Sequence, residues 1–270
     1  MQNDYWQRQA SNRPLFPDLL WSRPENRAHA GKLFIAGGNK YSFSAAANAY
    51  GEAVATGIGV ARALLPDSLQ KTVGKVFEAG EYAPSTPSGS FAQTALSEFL
   101  GMSQWADATL LAGDFGRNSE TAILLEKFAE KYDGLLTITQ DAADYFIPAP
   151  AGLLMRRETL LVISFAQLQK LAMNAKFTTA FTFDMDFLHL IDALHEFTQV
   201  HEAFIVTKHL DTIFVAANGQ VTSTRLSNDM TIWRVMTAAH AVVWWLQNST
   251  KPLEALTTAI SQIKKDPEGS

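Results

Sequence analysis

Short apolar runs that stop at glycine or polar residues alternate with longer stretches of helical period through most of this sequence, and that alternation admits few architectures. KLFIA (32–36) stops at Gly37-Gly38, ATLLA (108–112) at Gly113, LLTIT (135–139) at Gln140-Asp141, LLVI (160–163) at Ser164 and AFIVT (203–207) at Lys208. Between them lie FAQTALSEFL (91–100), SETAILLEKFAEKY (119–132), FAQLQKLA (165–172) and a helical pattern over 184–198. Strands that are apolar throughout are buried on both faces, and parallel neighbours of that kind are joined by right-handed helical crossovers. The expected fold is α/β: a mostly parallel central sheet with helices on both faces, forming three layers.

The remaining segments fit around this frame. An alanine-rich stretch from Phe43 to Leu65, closed by Pro66, reads as one long helix packed closely on the sheet, and VGKVF (73–77) reads as a strand. TIFVA (212–216) and QVTST (220–224) flank Asn218-Gly219, a pair that favours a tight hairpin, so an antiparallel edge is expected there. Asp229 to Leu246 and Pro252 to Lys264 read as closing helices. Residues 1–28, with Pro14, Pro17 and Pro24, read as an irregular arm, residues 29–264 as one α/β domain, and residues 265–270 as a frayed tail. A 270-residue chain that is 47% hydrophobic supports one large core.

Composition removes several classes of function. A net charge of -5 gives no basic excess for a phosphate backbone, so nucleic acid is not the expected partner. The polar first residues lack the apolar core of an export signal, and Val235–Leu246, interrupted by His240, falls short of the roughly 20 residues that span a bilayer, so no membrane is expected. The absence of cysteine excludes disulfides and thiolate metal sites, and the histidines show no metal-site spacing. A cytoplasmic location is the simplest expectation. Trp244-Trp245 suits either core packing or an interface between two copies of the chain.

In open parallel sheets ligands bind beyond the carboxyl ends of the strands. Gly37-Gly38-Asn39-Lys40-Tyr41 and Gly113-Asp114-Phe115-Gly116 each follow a strand and precede a helix; each reads either as an amide-lined anion loop or as a tight turn. Asp141 and Asp144 place two carboxylates at another strand end, where they suit substrate hydroxyls, Mg2+ or plain solvent. Lys208, just past AFIVT, reads either as a point charge for a nucleotide phosphate or as a solvated lysine. Leu226-Ser227-Asn228-Asp229 opens a helix, where local residue preference favours helix capping and Asp229 is also a candidate general base.

Taken in order, these segments resemble the carbohydrate-kinase-like NAD(P)H-hydrate dehydratases of the ribokinase-like superfamily, from about Arg23 to Ile263. His29-Ala30-Gly31 matches that family's His-Lys-Gly, Gly37-Gly38-Asn39 its Gly-Gly-Ser, and Gly57-Ile58-Gly59 its Gly-Ala-Gly. Ala112 to Gly116 matches a Gly-Pro-Gly-Leu-Gly loop, Asp141 to Asp144 an Asp-Ala-Asp strand end, Thr207-Lys208-His209 a Leu-Lys-Gly, and Leu226 to Asp229 a Gly-Thr-Gly-Asp. Leu226 and Asn228 stand where the family has glycine, and Val162 to Gln167 lacks its Pro-His-Pro-Gly-Glu.

The resemblance implies a ribokinase-like sandwich and an ATP- or ADP-dependent dehydration of hydrated NAD(P)H, with magnesium as a compatible cofactor. The hydrate hydroxyl is phosphorylated and then eliminated. Asp229 would be the catalytic base; Lys208, His209, Ser227 and Asn228 would hold the nucleotide. Gly37, Gly38, Asn39, Tyr41, Gly113, Asp114, Gly116, Asp141 and Asp144 would line the substrate side. An epimerase, where one takes part, would be a separate chain. The altered glycines leave two alternatives: a degenerate nucleotide-binding or scaffold protein, and a kinase for a vitamin or sugar hydroxyl.

Overall fold

Leu33 and Ile35 point to one face of their strand while Phe34 and Ala36 point to the other, and all four are fully buried in two separate apolar cores. A strand covered on both faces must lie inside a sheet with a helical layer above and below. The computed structural model, which describes residues 4–10, 13–225 and 234–263, has that arrangement.

The first half of the chain runs β1 (Trp6–Gln9), α1 (Asp18–Trp21), β2 (Lys32–Gly37), α2 (Ser44–Thr56), β3 (Val60–Pro66), α3 (Gln70–Val73) and β4 (Gly80–Ala83). It continues through α4 (Leu96–Trp105), β5 (Ala108–Gly113), α5 (Ser119–Lys131), β6 (Leu135–Thr139), α6 (Ala142–Phe146) and α7 (Ala151–Leu154). The second half holds β7 (Thr159–Ser164), α8 (Phe165–Asn174), α9 (Phe187–Val200), β8 (Phe204–His209), β9 (Thr212–Ala217), β10 (Gln220–Arg225), α10 (Val235–Gln247) and α11 (Pro252–Gln262).

One ten-stranded sheet forms in the order β1-β10-β9-β8-β7-β6-β5-β2-β3-β4, with only β9 running against the rest. Phe99 of α4, Phe128 of α5, Leu168 of α8 and Phe197 of α9 fill one face, where edge-on rings such as Phe34 against Phe99 tile the core. The other face is covered by α2, α10 and α11. Ala45, Ala46, Ala49 and Ala53 of α2 are buried there, and their small side chains let the helix lie close to the sheet and to α10. Trp244 and Trp245 are buried in the same layer. Burying one such large apolar side chain contributes about 2–3 kcal/mol. Among the described residues no helix is long and apolar enough to cross a membrane.

Four expectations change. The stretch 43–65 is a helix only to Thr56: Gly57 takes the left-handed conformation (φ 92°) and caps it, after which VARALLP forms β3, ended rather than preceded by Pro66. VGKVF is no strand; Val73 closes a helical turn, the Gly74 N–H returns to the Gln70 carbonyl, and Val76 is exposed. The arm is not irregular throughout, since Trp6–Gln9 pairs in parallel with Val221–Thr224. That added strand covers β10, so the Asn218-Gly219 hairpin forms as expected, with both residues at positive φ, but does not end the sheet. Tyr5 fixes the arm by donating to Asp192 Oδ1 at 2.5 Å and stacking on His195.

Candidate functional site

From β2 the chain moves outward through β3 and β4, then returns to the other side of β2 as β5 and proceeds through β6, β7 and β8. The crevice between the carboxyl ends of β2 and β5 is the switch point of the sheet, the usual ligand position in such folds. Here the two glycine loops interlock. Gly38 N–H donates to the Gly113 carbonyl at 3.0 Å, and a Cβ on Gly37 would lie 2.5 Å from that same oxygen. Gly113, at φ 118°, has no room either: a Cβ there would meet Gln140 Cβ at 2.6 Å. Glycine is demanded at 37 by the crossing backbone and at 113 by the positive φ and the Gln140 side chain.

Asp114 follows in the left-handed region (φ 61°), which aspartate tolerates better than most residues. This turns its carboxylate onto the start of α2. Oδ2 accepts from Ser42 Oγ at 2.6 Å, Ser44 Oγ at 3.0 Å and the Ala45 amide at 2.9 Å. A helix N-terminus presents unpaired N–H groups and a partial positive charge, and at α2 an internal carboxylate answers both. Asn39 completes the clasp, donating to the Asp114 carbonyl at 2.6 Å and accepting from the Tyr41 amide at 2.8 Å.

The second loop is held the same way. Gly116 N–H donates to Asp141 Oδ2 at 3.0 Å, while Asp141 Oδ1 is buried without a hydrogen-bond partner among the described residues. Burial raises the Asp141 carboxyl above the usual aspartate range; the amides of Gly116 and Phe115 offset part of this, and the neighbouring Asp114 charge adds to it. Tyr145 donates its hydroxyl to the Gly116 carbonyl, and Asn118 caps α5 through the amides of Glu120 and Thr121.

Gln167 ties the next two strand ends together. Its amide nitrogen donates to Asp144 Oδ1 at 2.9 Å and to the Gln140 carbonyl at 2.8 Å, and its oxygen accepts from Ser164 N–H at 3.1 Å. Asp144 remains exposed beside it. Ser42 and Ser44 were not among the sequence candidates; Gln167 was, but only as the end of the strand-end segment 164–167, with no role of its own. Ser164-x-x-Gln167 carries the pattern of a capping box, which would have singled Gln167 out; nothing local announces that Ser42 and Ser44 meet a carboxylate seventy residues away.

The structure therefore brings Gly37, Gly38, Asn39, Gly113, Asp114, Gly116, Asp141 and Asp144 to one edge. Tyr41 takes part only through its amide, and the residue is 84% exposed. Lys208 pairs with Ser164 across β7 and β8, three strand spacings or about 14 Å from Gly113. It forms no ion pair among the described residues, which leaves its charge free for an anion. His209 is buried against the Phe165 ring at 4.6 Å, and burial holds its imidazole below the usual range. Ser227, Asn228 and Asp229 lie outside the described residues. No group of three or more histidine, aspartate or glutamate side chains suited to a metal ion occurs among the described residues.

Chemically the edge divides. On the β2–β6 side the amides that would receive an anion already hold Asp114 and Asp141, leaving carboxylate and carbonyl acceptors that suit hydroxyl or amide donors. At β8 stands a positive charge, Lys208, with no ion pair among the described residues.

No protein-family model and no curated protein matches the sequence. Solved structures do match the fold. A ribokinase-like superfamily protein from Enterococcus faecalis superposes with a TM-score of 0.69 at 12% identity, covering 97% of this chain and 88% of that one. An ADP/ATP-dependent NAD(P)H-hydrate dehydratase from Bacillus subtilis, co-crystallized with ATP and Mg2+, gives 0.56 at 11%, covering 92% and 86%. A phosphomethylpyrimidine kinase from Clostridium difficile gives 0.51 at 9%, covering 86% and 99%. The chain has the ribokinase-like α/β fold, as the order of its strand-end segments implies.

Proposed function

We propose that this chain is a divergent nucleotide-dependent enzyme of the NAD(P)H-hydrate dehydratase kind, acting on a hydroxyl of a small, largely neutral substrate face. The observation that carries the reading is the polarity split along the strand ends: hydrogen-bond acceptors gather where β2, β5 and β6 end, and Lys208, without an ion pair among the described residues, stands at β8. A nucleotide phosphate fits the cationic end, and a hydroxylated substrate fits the acceptor-rich end. Such a division suits phosphoryl transfer, where positioning and charge stabilisation matter most.

In this reading Lys208, Ser227 and Asn228 hold ATP or ADP, with His209 packed behind, and Asp229 takes the proton of the substrate hydroxyl. The hydroxyl oxygen bonds the terminal phosphorus as its bond to the leaving nucleotide oxygen breaks. Elimination then breaks the carbon–oxygen bond, releasing phosphate and restoring the unsaturated ring, with one nucleotide phosphoanhydride consumed per turnover. Magnesium would accompany the nucleotide. Purified protein given hydrated NADH, Mg2+ and ATP or ADP is expected to regenerate NADH absorbance, and Asp229→Ala to slow it by about 10²-fold or more. Equal rates for the two proteins would overturn the reading.

A second reading, nucleotide binding without turnover, is favoured by Leu226 and Asn228 in the sequence where the resembled family has glycine, since any side chain limits how closely a backbone amide can approach a phosphate. Calorimetry separates the two: binding of ATP or ADP by a protein that turns over neither hydrated NADH nor vitamin and sugar alcohols identifies the binder.

A further inference from the structure

Away from the strand ends, the last turns of α2 and the middle of α10 enclose a polar cluster that the site above does not use. His240 Nδ1 lies 2.8 Å from Glu52 Oε1 and 2.9 Å from Thr56 Oγ1, and its Nε2 faces the Trp244 indole N–H at 3.2 Å. An indole nitrogen only donates, so Nε2 is the acceptor and the ring proton sits on Nδ1, directed at Glu52. Thr56 also donates to Glu52 Oε1, at 3.2 Å. Glu52 Oε2 is left with no hydrogen-bond partner among the described residues.

Arg23 enters from the other side. Its guanidinium covers the Trp244 ring at 4.5 Å and uses Nη2 for the Thr56 carbonyl and Gln247 Oε1. Nε and Nη1 have no acceptor among the described residues, and no carboxylate pairs with the group there, although burial lowers its pKa. Arg23 and Glu52 line one cavity of about 200 Å³ together with Thr56, His240 and Gln262, and Ala55, Met236, Trp244 and Ile263 supply its apolar part. An apolar cavity of about 150 Å³ accommodates benzene, so the space suffices for a small organic molecule.

Two opposite charges, incompletely paired among the described residues and sharing a partly apolar cavity, select a ligand that carries both complements. A simple carboxylate would answer Arg23 but meet Glu52 as a like charge; a simple amine would do the reverse. We propose that this cavity binds a small apolar α-amino acid, with its carboxylate on the open edge of Arg23, its ammonium on Glu52 Oε2 and its side chain against Met236 and Ile263.

The Trp244 indole N–H, within the cluster, is the reporter in a magnetic-resonance titration, assigned by Trp244→Phe. Alanine, valine and leucine are the probes, with 4-methylpentanoate and 3-methylbutylamine as leucine lacking one charge each. At least one amino acid should shift the resonance saturably, and leucine should bind about tenfold or more tighter than either analogue, a difference of about 1.4 kcal/mol. Glu52→Gln should erase the advantage of leucine over 4-methylpentanoate, and Arg23→Gln should abolish both. No shift with any amino acid, or 4-methylpentanoate binding as tightly as leucine to the unaltered protein, would overturn the proposal. The analogue comparison decides the matter even where a variant fails to fold.

Discussion

The two ends of α2 receive side chains of complementary charge from distant parts of the chain, and they are treated differently. At the N-terminus the Asp114 carboxylate faces the positive end of the helix and is engaged by two hydroxyls and an amide. At the C-terminus the Arg23 guanidinium faces the Thr56 carbonyl, yet two of its nitrogens and one Glu52 oxygen have no hydrogen-bond partner among the described residues, and both residues line a cavity. A closed end stabilises and fixes register; an open end keeps unsatisfied charge available to a ligand. The contrast separates a structural carboxylate from a receptive pair on a single element, which motif matching along the sequence does not do.

The largest effect should come from disturbing the closed end through its backbone. Gly113→Ala must place a Cβ 2.6 Å from Gln140 Cβ at φ 118°, and we expect a loss of about 3–4 kcal/mol, read by denaturant unfolding. A loss under about 1 kcal/mol would mean that the Gly113 loop is not held against Gln140. Next, Asp114→Ala removes the helix cap and strands three donors, for about 2 kcal/mol, or roughly 4–6 °C in Tm for a chain of this size. Asp114→Asn should recover part of that, because asparagine also tolerates the left-handed backbone and keeps one acceptor. If Asp114→Ala proved neutral, the closed end would be closed by something other than this carboxylate.

At the open end the expected changes are smaller. Arg23→Gln gives up a hydrogen bond to Thr56 and the contact over Trp244 but relieves a partly desolvated charge, so about 1 kcal/mol should be lost. A loss as large as that of Asp114→Ala would erase the distinction between the ends, and Arg23 would then be a structural cap as well.

The sequence carried the sheet and the helices that follow its strands, because buried strands and amphipathic helices write their periods locally. It concealed β3, since VARALLP continues an alanine-rich helical pattern and only the Gly57 backbone separates the two. It concealed β1 too, because a four-residue polar strand is specified by its pairing with β10 and by Tyr5 reaching Asp192, both far off in the chain. At the candidate site the glycines and Asp141 were legible as strand-end features. The role of Asp114 was not: whether a carboxylate after a glycine faces solvent, a ligand or a neighbouring helix depends on which strand lies beside its own, and β2 beside β5 is a fact of topology.

The smallest predicted effect is a slope in pH rather than a loss. Asp141 anchors the loop that carries Asp114, and burial raises its folded-state pKa above the ordinary value of 3.8. Above 3.8 the unfolded chain releases this proton while the folded chain still holds it, so stability must fall as pH rises from 3.8 to the raised value and stay level beyond. Asp141→Asn keeps an oxygen for the Gly116 amide and removes the titration. The stability of the unaltered protein minus that of the variant should decline across that window, measured by denaturant unfolding at a series of pH values. Asp114 raises the Asp141 pKa further by like charge, which steepens the decline. Parallel curves would show that Asp141 is hydrated and ordinary, and the closed end of α2 would then be anchored less deeply than its hydrogen bonds indicate.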